Sequence, residues 1–171
     1  MGIHQQITVI ALALGLAGCV ASKAPLFDPA SAVTPVAAGR FEIQEEKGGT
    51  WTRSGTGALK LEGRVYTWKV DDDEKIQRFS LHDVGGGYFV LMTPPEGSQP
   101  VYYTLFEKSD QGWLAYGPLC SDLRKVRAIA DAQPLVEGTD CYYADRAKLA
   151  RALIAYSKVM LPGARYIAAK P

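Results

Sequence analysis

Between Arg40 and Gly117 the chain is cut into short β-favouring runs by turn residues, and this rhythm constrains the fold more than any other feature. The runs cover residues 41–44, 58–61, 65–70, 77–82, 88–92, 101–106 and 113–116. Lys47-Gly48-Gly49, Glu62-Gly63, Asp71-Asp72-Asp73-Glu74, Gly85-Gly86-Gly87, Pro94-Pro95-Glu96-Gly97 and Asp110-Gln111-Gly112 break them. The Gly/Thr/Ser-rich stretch 51–57 reads as part of the first break. None of these connections has room for a crossover helix, so the seven predicted strands pair antiparallel. Alternation places Tyr66, Trp68 and Val70 on one face. It turns Phe79 and Leu81 inward and Ser80 and His82 outward, which makes His82 a surface histidine. Residues 88–92 and 101–106 are apolar on both faces, the pattern of strands covered on both sides.

A helix is expected to supply one of those covers. Leu149, Ala152, Leu153 and Tyr156 recur at helical spacing, Asp145 suits the N-terminus, and Pro162-Gly163 is the expected stop. A short helix is expected after Ser121-Asp122, a short strand at residues 141–143, and a last edge strand at 165–168. The expected fold class is α+β. It is an antiparallel β meander of about seven strands, barrel-like or half-barrel, with the C-terminal helix packed on it.

The N-terminus carries an address. Residues 7–17 form an apolar run of eleven, too short for the roughly 20 residues of a membrane span and suited to a signal-peptide core. Leu16-Ala17-Gly18-Cys19 follows from it and resembles the lipobox of bacterial lipoproteins. The resemblance implies removal of residues 1–18 and lipid on the sulfur and amine of Cys19. Three acyl chains, a diacylglycerol and an N-acyl group, anchor stably where one would not. Position 20 is Val rather than Asp, which implies the outer membrane, facing the periplasm. Residues 19–39, with Pro25, Pro29 and Pro35, read as a flexible tether, with packing through Leu26 and Phe27 as the alternative. Residues 40–171 are then a single globular domain.

With Cys19 assigned to lipid, Cys120 and Cys141 remain, and an even pair in an oxidising compartment reads as a disulfide. It would join the end of the meander to the base of the C-terminal helix. A formal charge of +1 argues against nucleic acid as a partner.

Catalytic patterns are scarce. The only histidine after the leader is His82, and no GxSxG surrounds a serine. An EF-hand counted from Asp71 fails at Ile76 and His82, so the acidic run reads as a solvated turn. No cofactor and no metal are expected. The aromatics are the suggestive group, and Trp68, Phe89, Tyr103, Phe106 and Trp113 are the candidate ligand or partner surface. They are balanced against ordinary core packing. The expected function is that of a lipid-anchored, non-catalytic binding or interaction module. Its partners would be the membrane through Cys19 and an envelope protein, peptidoglycan or a small apolar ligand. Alternatives are an inhibitor of an envelope-attacking hydrolase and a hydrolase built from scattered carboxylates. A closed apolar cavity lined by Trp68, Phe89 and Phe106 would favour a ligand carrier, and a flat aromatic patch a protein partner.

Overall fold

A computed structural model describes residues 20–94 and 97–169, so Cys19 and the lipobox lie outside the described residues. The strands are β1 (Val20–Ser22), β2 (Gly39–Lys47), β3 (Thr50–Glu62), β4 (Val65–Val70), β5 (Ile76–Gly85), β6 (Tyr88–Met92), β7 (Val101–Ser109), β8 (Gly112–Tyr116), β9 (Leu135–Glu137), β10 (Asp140–Tyr142) and β11 (Ala164–Ala168). Among the described residues two α-helices, α1 (Cys120–Leu123) and α2 (Arg146–Ser157), accompany short 3₁₀ turns at Pro29–Ser31 and Arg127–Ala132.

The protein is β-rich and mostly antiparallel, but it is not a plain seven-strand meander. Among the described residues the sheet holds eleven strands and is mixed, because β1 runs parallel to β10. Strands β2 to β8 pair consecutively, and β11 pairs with both β8 and β2. Eight antiparallel strands therefore return upon themselves, and β1, β10 and β9 extend the sheet sideways from β7. The last strand, expected at an edge, closes the ring instead. The stretch 51–57, expected as a break, belongs to the long strand β3.

Residues 20–39 depart from the expected free tether and take the alternative, packing on the domain through Leu26 and Phe27. Val20, Ala21, Phe27 and Ala32 are buried, and Val33 bonds to the backbone of Leu81. Phe27 supplies the reason: its ring stacks 4.8 Å from His82 and 6.1 Å from Tyr103, under the Arg146 guanidinium at 4.7 Å. Burying one such ring offsets the ordering of a proline-rich segment that has little chain entropy to lose. Residues 23–38 thus form a strap over the outside of the barrel.

Two apolar clusters result. One lies outside the ring, where Leu149, Ala152, Leu153 and Tyr156 of α2 join Val90, Met92, Val101 and Leu105. Asp145 caps that helix, its carboxylate accepting from the Lys148 amide at 2.7 Å. The helix ends at Ser157, before the expected stop. The other cluster fills the ring. Cys120 and Cys141 are joined by a disulfide, Cα–Cα 5.2 Å, between the start of α1 and β10.

Candidate functional site

Eight strands make a barrel whose interior is either filled by side chains or left with room for one small ligand. Here the filling is incomplete. A cavity of about 50 Å³ lies inside the ring, walled by Leu59, Trp68, Phe79, Leu81, Leu91 and Phe106, with Phe41, Trp113 and Tyr166 completing the aromatic lining. Strand alternation places them: Trp68 on β4, Phe79 and Leu81 on β5, Leu91 on β6.

The strap closes one end. Val36 lines the cavity, and its amide and carbonyl both bond the Tyr66 hydroxyl, at 3.1 and 2.9 Å. Arg64, in the β3–β4 turn, donates to the carbonyls of Ala30 and Ala32. Tyr66 is wholly buried and stacks on Phe79 at 5.4 Å. Burial pushes its pKa up, although the backbone bonds at Val36 oppose this, and the neutral phenol serves as both donor and acceptor. At the other end of β5, Gln77 contributes the amide of the lining, beside exposed Ile76.

Gly57 keeps the space open. A Cβ there would lie 2.5 Å from Cζ2 of Trp68 and 2.8 Å from the Lys69 carbonyl. The missing side chain lets the indole lie flat against β3, the close approach for which an in-strand glycine is used. T-shaped contacts hold the rings around it: Trp68 with Tyr166 at 5.6 Å and Phe89 with Trp113 at 5.5 Å. Burial raises the Tyr166 pKa, with the nearby Glu45 charge adding to it, so the phenol stays neutral.

Of the residues singled out in the sequence, Trp68, Phe106 and Trp113 meet at the cavity, and Phe89 packs in the same cluster. Tyr103 does not join them. It faces outward under the strap, where its hydroxyl takes the Leu26 amide at 3.0 Å and contacts Ser22 Oγ at 2.7 Å. His82 is likewise not the expected surface residue, at 1% exposure. Phe27 covers it, and its ring nitrogens meet Ser31 Oγ at 3.1 Å and Ser80 Oγ at 2.9 Å. Sequence reasoning missed Val36, which lies in an irregular segment with no periodicity. It also missed Gln77, which shares a face with Phe79 and Leu81 by simple alternation.

The chain matches no family model, no curated protein and no solved structure.

The cavity holds the chemistry of apolar contact. Its polar groups are one amide, two indole N–H groups and one phenol, and no carboxylate or histidine lines it. Among the described residues no three His, Cys, Asp or Glu side chains cluster as metal ligands. At the acidic turn Asp71 accepts from Thr56 and Arg40, which hold its carboxyl below the usual range, and Asp73 accepts from the Lys75 amide.

Proposed function

We propose that this protein is a non-catalytic envelope lipoprotein, anchored through Cys19 and facing the periplasm from the outer membrane. Its β-barrel, backed by α2, binds one slender apolar ligand. The observation that carries the ligand reading is the cavity inside the ring, lined by Trp68 and Phe106 and free of charged side chains. The lipobox pattern supports the anchor, and the lack of acid–base groups in the lining supports binding over catalysis.

Size narrows the ligand. A water needs about 10–15 Å³, so a cavity of about 50 Å³ takes roughly four methylene-sized groups. That is far below the several hundred Å³ of a drug-sized pocket. An unbranched alkyl end fits, and a fused ring system does not. At ~0.8 kcal/mol per buried CH₂, four groups contribute ~3 kcal/mol, which by itself gives affinity no tighter than millimolar.

Titration with decanoate, read by the fluorescence of the cavity tryptophans, tests the reading. A saturable change is expected, weakened when Leu91→Phe fills the space and when Gly57→Ala drives the Trp68 ring into it. Leu91→Phe keeps the test valid if the glycine variant does not fold. A non-saturable response, or one indifferent to Leu91→Phe, would sink the ligand reading.

A further inference from the structure

The residue that follows the lipobox cysteine is already inside the fold. Val20 is 1% exposed and Ala21 0%, in register with Cys141 on one side and with Tyr102 on the other. One peptide link, about 3.8 Å between Cα atoms, therefore separates the acylation point from a buried strand. A flexible tether of some twenty residues would have allowed ~25 Å of stand-off. A lipid on Cys19 leaves the domain almost none.

We infer that the surface around the start of β1 is a membrane-docking face, pressed against the headgroups of the bilayer that holds the anchor. The inference rests on the proposed lipidation of Cys19. The disulfide sets which residues lie there, because Cys120 begins α1 only 5.2 Å (Cα–Cα) from Cys141, the register partner of Val20. Leu119, the residue capping α1, is 44% exposed. Arg124 and Arg127 follow within the next turns, both exposed. Lys125 pairs with Asp122 at 3.0 Å and Glu137 with Lys23 at 2.7 Å, but neither arginine has an acidic partner among the described residues. Two guanidinium groups without acidic partners, five and eight positions after an exposed leucine, suit an anionic headgroup layer, which attracts basic side chains next to an anchor. The chain enters β1 beside the β9–β10 turn, whose exposed residues, Gly138 and Thr139, carry no charge.

The test uses full-length protein extracted with its lipid and reconstituted into phosphatidylethanolamine–phosphatidylglycerol vesicles with brominated acyl chains. Leu119→Trp places a reporter on the proposed face. Lys60→Trp places one on β3, four strands from β7 in either direction around the ring. Fluorescence is read against the protein without the added tryptophan. Loss of most of the added signal at position 119, with position 60 unaffected, is expected. A flexible Gly-Ser insert between Cys19 and Val20, combined with Arg124→Glu and Arg127→Glu, should restore it. Intact mass of the same preparation separates the two ideas. A lipidated mass with no quenching at 119, or equal quenching at both sites, overturns the docking face and leaves the anchor standing. An unlipidated mass overturns both.

Discussion

At the scale of single residues, the fold changes the titration of His82 in the mildly acidic range. Burial pushes its pKa down to about 4, helped by the positive charge of Arg146 and opposed by Asp28. In the unfolded chain it titrates near 6.5. The folded state therefore favours the neutral ring, and the unfolded state binds the extra proton first. This contribution to stability is complete above pH 6.5 and is lost as pH falls from 6.5 towards 4, where the folded form protonates too. Its ceiling is ~3 kcal/mol, and solvent screening around the strap reduces it. His82→Gln removes the titration and keeps an amide in reach of Ser31 or Ser80. Urea unfolding across that window should then give a flatter pH dependence for the variant than for the wild type. Parallel curves for the two proteins would remove His82 from the account of acid stability.

Among the elements, the strap is the least expected and rests on the fewest side chains. Phe27 is 1% exposed and touches β5, β7 and α2 at once. Phe27→Ala should cost ~3–5 kcal/mol, the range for an aromatic removed from a packed site. Urea denaturation measures it, and a loss below ~1 kcal/mol would mean that the strap contributes little to the fold. Legibility in the sequence followed the strength of periodic signals. Helix α2 was readable because four apolar residues at helical spacing commit one face to burial. Strands β4 and β5 were readable because they alternate. The strap was not, because its prolines and small residues mark irregular backbone whether packed or free, and a single ring decides between the two. Strands β1 and β9 have three residues each, too few for a period to emerge, whereas the short strand expected at residues 141–143 is β10, shifted by one residue. Tyr103 was grouped with the cavity aromatics for a related reason: β7 is apolar on both sides, so alternation does not say which side is inside. The same rule turned Phe79 and Leu81 of β5 inward and set Tyr66 and Trp68 of β4 on one shared face, which the structure turns to the ring interior.

For the whole molecule, the decisive feature is that the two ends of the domain complete each other. The seven sequential strands make only an open sheet, and β11 makes it a ring by pairing Tyr166 with Ile43 on β2 and with Trp113 on β8. Arg165 adds a side-chain link to Gln44, 121 positions away, and stacks on Trp51 at 4.6 Å. Tyr166 also walls the cavity, so closure and ligand space depend on the same strand. Contacts this distant in sequence form after the local hairpins, because the loop entropy they close is large. Ending the chain after Gly163 should therefore leave β2 and β8 as bare edges, an invitation to aggregate. It should also open the apolar interior to water. The expected outcome is loss of the single cooperative thermal transition, together with strong binding of a hydrophobic dye and no saturable response to decanoate. The disulfide remains intact in that truncation, so the comparison isolates ring closure from the staple. A truncated protein that still melts in one sharp transition and still titrates with decanoate would show that the sheet holds its shape as an open half-barrel. The cavity would then have to be attributed to β2–β8 rather than to the closed ring.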